Sequence, residues 1–373
     1  MTTSLEQKIG QLMLVGWQSP NTDDLIENIK KYNFGNIILF TRNIKSASQV
    51  RDMCSKIQEA AIQYNGAPCF IALDQEGGSI RRIYDGITNT PGAMAIAAAS
   101  AKYPESAAII GNILGAELKA LGINLNLAPV VDINSNPLNP IIAIRSFGDD
   151  PYTVKKLATD FAKAQQNNGI MSCYKHFLGH GDVDIDSHID LPRVNKSIDE
   201  LKRLELIPYT DIASDAIMTS HILFDKIDDK FPASISKAII DGILRKELKF
   251  KGLVITDCFE MTGLIQTFSF EEAAMFAINA GTDMITVSHT FGRQLTVRNA
   301  LLSAVKNGKI SYETLEKALM RIYELKKRYA FEKTANECDF NKNKHLAEKI
   351  SYASVTLASG ELFEIDRDTV VIG

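Results

Sequence analysis

The chain has 373 residues, 45% hydrophobic and 23% charged, so it allows one large domain or two ordinary ones around a substantial core. That composition excludes intrinsic disorder, collagen-like repeats and coiled coil. With 41 Lys and Arg against 45 Asp and Glu, and a net charge of -4, the protein has no electrostatic reason to seek nucleic acid or anionic lipid.

Along the chain, short apolar runs alternate with longer segments of helical period. The runs fall at residues 14–17, 36–40, 69–74, 123–132, 170–176, 216–221, 252–257 and 283–287. Several, such as FIALD, GLVITD and DMITV, are almost wholly apolar, as burial on both faces requires of a parallel strand. Helix starts lie between them. Asp23 and Asp24 open one helix, Ser46 another, Pro104 a third that Gly122 ends, and Pro151, Ser197 and Ser236 open three more. Eight alternations of strand and helix predict an α/β fold of the (β/α)8 barrel type. An open doubly wound sheet falls behind because no GxGxxG or GxxxxGK[ST] follows the first strand.

Residues 1–335 read as the barrel and 336–373 as a C-terminal extension. Residues 311–333 form a charged helix whose charges belong to a solvated face. A polar stretch at 336–343 marks an edge, a helix follows at 344–353, and the closing TVVIG has the pattern of a buried strand. Two readings of that tail stand side by side: it begins a second, truncated α/β domain, or it packs on the barrel. The five cysteines form no CxxC pair, and the expectation is reduced, mostly buried thiols. No basic leader with a continuous apolar core opens the chain, and no run has the length of a membrane span, so a cytoplasmic protein is expected. The sequence carries no signal for an oligomeric state.

In a barrel, functional side chains gather at the C-terminal ends of the strands. Those ends carry Asp74, Lys175, His176, His221, Asp257 and His289. Any one alone reads as structural, but together they mark a polar, ionisable pocket. The richest segment is CYKHFLGHGDVDIDSHIDLP, residues 173–192. A calcium loop fails there because Ser187 stands where Gly is needed and Arg193 where Glu is needed. A metal site built from His176, His180 and His188 matches neither HExxH nor a paired HxH. Acid–base chemistry remains. Asp186 and His188 project to one side of an extended segment, and a carboxylate beside an imidazole orients the ring and favours its charged form. Such a pair can protonate a leaving oxygen and later take a proton from water. Asp257, at the end of its strand, is then a candidate nucleophile, or else only a cap for the next helix. Asp74, Arg81, Arg82 and Arg145 lie on neighbouring loops, and aspartate with arginine in a deep pocket suits a ligand with many hydroxyls.

At these residues the sequence resembles the β-N-acetylglucosaminidases of glycoside hydrolase family 3. DQEGG…R at 74–82, RSFG at 145–148, KHFxGHGD…DSHxxLP at 175–192 and ITDxxxM at 255–261 match that family in order. KIGQLMLVG at 8–16, LFTRN at 39–43 and AGTDM at 280–284 agree as well. The resemblance implies a (β/α)8 barrel and a retaining double displacement, with Asp257 as nucleophile, His188 as acid/base and Asp186 as its carboxylate partner. It implies that Asp74, Arg82, Arg145, Lys175 and His176 hold a terminal N-acetylglucosamine of a muropeptide or chitooligosaccharide, with no cofactor and no metal. Leu178 stands where the family usually has Pro, and Cys258 where an acidic or small polar residue is more usual. A thiol beside the nucleophile raises the expectation of sensitivity to thiol reagents. Four alternatives stand beside it: a phosphorylase that intercepts the same intermediate with phosphate, a broader β-glycosidase, a binding protein without catalysis, and a metal-dependent barrel hydrolase.

Overall fold

The computed structural model describes residues 3–183, 191–331 and 338–356. In chain order the strands are β1 (Met13–Val15), β2 (Asn36–Ile38), β3 (Phe70–Leu73), β4 (Leu125–Asn126), β5 (Met171–Phe177), β6 (Arg193–Val194), β7 (Ala216–Thr219), β8 (Leu223–Phe224), β9 (Leu253–Cys258) and β10 (Met284–Val287). Eight of them close a parallel barrel in the order β1–β2–β3–β4–β5–β7–β9–β10, with β10 pairing back onto β1. The eight apolar runs read from the sequence are these eight strands. Every residue in them is buried except Asp257 and Cys258 at the tip of β9, which are half-buried.

Two differences from the sequence reading have plain causes. The fourth run keeps ladder pairing only at Leu125–Asn126, because Pro129 has no N–H to donate. Beyond it the chain stays extended, bridges to Lys175 at Val130 and ends on Asp132. β6 and β8 form a separate parallel pair, and strands of two residues are too short to show a period.

The helices begin where the caps predicted. Ser46 Oγ accepts from Gln49 N at 3.2 Å, and Ser197 and Glu200 form a reciprocal capping box. Asp150 caps Pro151–Asn167 through Thr153 N at 2.7 Å. Ser236 Oγ accepts from Ile239 N at 3.2 Å and opens Ala238–Glu247, a helix of the wide i to i+5 kind. The helix Ala93–Ser100 is apolar all round and gave no helical period to read.

The charged helix, Tyr312–Tyr329, lays its charges outward but carries one inward exception. Lys326 is wholly buried at the N-terminal mouth of the barrel, where its Nζ donates to Gln11 Oε1 at 2.5 Å and Gly35 O at 3.0 Å and sits over the Phe70 ring. The helix Phe340–Ala353 starts four residues before the expected one at 344. It packs on the barrel's outer helices, burying Ala347 and Ile350 beside Ile96, Ala99 and Ile110. Among the described residues no helix is long and apolar enough to cross a membrane.

Candidate active site

The C-terminal ends of the strands converge on one cavity of about 370 Å³, a size typical of small-ligand sites. Asp74 follows β3 directly, and the next residues form a tight loop. Gly77 and Gly78 both have positive φ, 95° and 58°, and a Cβ on Gly77 would lie 2.5 Å from Pro91 O. Only glycines fit there, and they let the loop fold back over the barrel mouth. Gln75 anchors it from below. Its N–H donates to Asn126 Oδ1 on β4 at 3.0 Å, and its Oε1 accepts from Arg82 N at 2.8 Å.

These anchors hold a chain of ion pairs. Arg82 Nη2 donates to Asp74 Oδ2 at 2.9 Å, and Lys175 Nζ on β5 donates to Asp74 Oδ1 at 2.8 Å. The same Nζ lies 2.7 Å from Glu76 Oε1. Glu76 in turn receives Arg145 at both oxygens, Nε to Oε2 at 3.0 Å and Nη2 to Oε1 at 2.8 Å, a bidentate pair. Burial opposes ionisation of Asp74, but Lys175 and Arg82 outweigh it and hold the carboxyl well below its usual range. Burial opposes Glu76 likewise, and Lys175 and Arg145 bring it down to about 2. The Lys175 ammonium is pushed up against its burial penalty by Asp74 and Glu76. Asp74, Glu76, Lys175 and Arg145 therefore stay charged at neutral pH, in fixed positions on the wall of the cavity.

Beside this chain, His176 Nδ1 is 2.7 Å from Asp132 Oδ2, and the same carboxylate accepts the backbone N–H groups of His176 and His180. Asp132 has no exposed side-chain surface, so it fixes the His176 ring from behind. The Lys175–His176 and Phe177–Leu178 peptides are cis. Across the cavity Asp257 tips β9, with Cys258 N donating to its Oδ1 at 2.7 Å. The peptide after it is held by His221, whose Nε2 is 3.0 Å from Cys258 O and whose Nδ1 is 2.7 Å from Ser234 Oγ. A carbonyl only accepts, so Nε2 carries a proton toward Cys258 O while Nδ1 pairs with the Ser234 hydroxyl.

Asp74, Arg82, Arg145, Lys175, His176, Asp257 and His289 thus line one cavity. His221 does not; it lies one layer behind, fully buried. Asp186 and His188 lie outside the described residues. Glu76, Asp132, Glu260 and Phe40 escaped the sequence reading. Asp132 and Phe40 close the predicted fourth and second strands, so the strand-end rule already reached them. Phe40 stacks between cations, with Arg42 4.4 Å and Arg82 5.4 Å from its ring centre, and packs against the His289 ring at 5.1 Å. Burial pushes the Cys258 thiol up to about 11, so little thiolate exists at neutral pH to meet an alkylating reagent.

Residues 4–325 match the glycosyl hydrolase family 3 N terminal domain. Beta-hexosaminidase A of Pseudoalteromonas piscicida is 35% identical over 330 residues, covering 81% of this chain and 55% of that protein. The beta-hexosaminidase of Tolumonas auensis is 34% identical over 263 residues, 69% of this chain and 77% of its own. Among solved structures, the glycoside hydrolase family 3 beta-N-acetylglucosaminidase of Paenibacillus sp. strain FPU-7 superposes with a TM-score of 0.93 at 38% identity. That superposition covers 98% of this chain and 72% of the Paenibacillus protein.

Proposed function

The chain belongs to glycosyl hydrolase family 3, and on that footing we propose that it is a retaining exo-β-N-acetylglucosaminidase acting on muropeptides or chitooligosaccharides. What carries the reading is the placing of Asp257 in the same cavity as the Asp74–Lys175–Glu76–Arg145 chain and Arg82. Such a site offers one sugar ring a rigid set of donors and acceptors on one side and an attacking carboxylate on the other. The names of the curated relatives, beta-hexosaminidases, support the class of sugar.

In this mechanism Asp74, Arg82, Lys175, Arg145 and His176 hold the hydroxyls and acetamido group of the terminal residue. The Asp257 carboxylate attacks the anomeric carbon while His188, steered by Asp186, gives its proton to the departing glycosidic oxygen. A glycosyl ester on Asp257 results. Neutral His188 then takes a proton from water, the water oxygen attacks the anomeric carbon, and Asp257 leaves as carboxylate. The roles of Asp186 and His188 rest on the sequence. The preorganised charges need not reorient during the reaction, which is where such a site gains most of its rate.

The test is to trap the ester. A 5-fluoro N-acetylglucosamine analogue with a good leaving group should label the protein once, and peptide mapping should place the label on Asp257. A label on another residue, or a product of inverted anomeric configuration, would overturn the proposal. Formation of a sugar 1-phosphate when phosphate is added would replace hydrolysis by phosphorolysis.

A further inference from the structure

We propose that Cys258, Glu260 and His289 form a binding site for a thiophilic divalent cation of the zinc class, on the wall of the cavity beside Asp257. Their ligand atoms all lie within 4.8 Å of one another. The arrangement follows from the barrel. β9 and β10 pair with Cys258 level with Thr286, so the residues just past each strand end meet at the rim. Glu260 is clamped to the second loop, its Oε2 accepting His289 N at 2.5 Å and its Oε1 accepting Thr290 N at 3.0 Å. Cys258 Sγ stands 4.0 Å from Glu260 Oε2, and the Ser288 hydroxyl adjoins the thiol.

The donor set selects the ion. A sulfur, an imidazole nitrogen and one carboxylate match zinc and cadmium, whereas magnesium and calcium take all-oxygen shells. Three protein ligands leave a fourth position open to the cavity. Burial holds Cys258 in the thiol form, so the cation must displace its proton to solvent, forming the metal–sulfur bond as the S–H bond is lost. Arg293, 3.5 Å from Glu260 Oε1, and Arg42 and Arg82 nearby oppose a dication and moderate its affinity. A cation there sits one residue from Asp257 and blocks the space for the sugar, so on the hydrolase reading it is a reversible inhibitor.

Binding is tested on the full chain without substrate. Cd²⁺ is titrated while thiolate-to-cadmium charge-transfer absorption is followed, with Zn²⁺ competition by calorimetry. One Cd²⁺ per chain is expected, and Kd should rise at least ~10-fold in Cys258→Ser and in His289→Ala, as much as even outer-shell changes cost at metal sites. Neither variant removes a fully buried side chain. Absence of the absorption band, or an unchanged Kd in either variant, overturns the site. Because the readout is metal binding, failure of the sugar-hydrolysis reading would leave this result standing, and the reverse also holds.

Discussion

A ring that touches no substrate can still set the direction of attack. His221 is fully buried and wedged between the Ser234 hydroxyl and the carbonyl of Cys258, the residue after Asp257. His221→Ala would leave Ser234 Oγ buried without its partner, at about 1–3 kcal/mol, and would leave the Cys258 carbonyl held by Met261 N alone. The Cys258–Phe259 peptide, next along the chain from Asp257, would also gain freedom, and a misplaced nucleophile lowers kcat more than it alters KM. The expected outcome is therefore a large fall in kcat with KM nearly unchanged, partly restored by His221→Gln, whose amide N–H can reach the same carbonyl. If Gln and Ala behave alike, His221 contributes packing and not alignment. The sequence did bring His221 to notice, but as a pocket residue, because a strand-end position says nothing about whether a side chain points inward or back into the wall. Glu76 shows the opposite failure. It sits in the quoted DQEGG stretch, yet a carboxylate next to two glycines in sequence gives no sign that Lys175 and Arg145, far along the chain, will close on it.

At the scale of elements, what could be read was what periodicity encodes. Strands buried on both faces appear as unbroken apolar runs, and Ser, Asp and Pro at helix starts leave a local mark, so these survived the passage to three dimensions. Cross-barrel contacts leave none, and Lys326 is an example. Within Tyr312–Tyr329 it looks like one more surface cation, but it plugs the N-terminal mouth of the barrel. Burial lowers its pKa to about 8. Unfolded, the same ammonium titrates near 10.4, so between about pH 8 and pH 10.4 the unfolded chain binds more protons and this group's contribution to stability rises with pH. Over that window the gain is about 3 kcal/mol. Denaturant unfolding of the protein and of Lys326→Met at several alkaline pH values should show the difference between them moving in favour of the native lysine by that order. Subtracting the variant cancels the cysteines and tyrosines that titrate in the same range. A difference that stays flat with pH would mean that the lysine titrates alike folded and unfolded, as it would if water reached it in the barrel mouth.

Taken whole, the molecule separates the surface that holds it together from the surface that faces the ligand. The charged cavity sits at one end of the barrel, while stability is gathered in the layer between strands and helices. The helix Phe340–Ala353 extends that layer. Asn343 Nδ2 donates at 2.9 Å to Glu117 Oε1, a carboxylate that also accepts from Thr88 N at 2.7 Å, and Ala347 and Ile350 enter the apolar cluster of Ala93–Ser100 and Ser106–Ala120. Ile350 is 1% exposed, and cutting it to Ala removes three buried carbons from a packed seam. The expected cost is about 2–5 kcal/mol, the range for large-to-small changes in a core, and the midpoint of thermal unfolding should fall by several degrees. None of the cavity-lining charges touches Ile350, so kcat and KM measured well below the transition should match those of the native protein. A variant that unfolds normally but turns over slowly would show instead that this helix reaches the Arg145 side of the cavity through Ala93–Ser100, and stability and activity would then share one element.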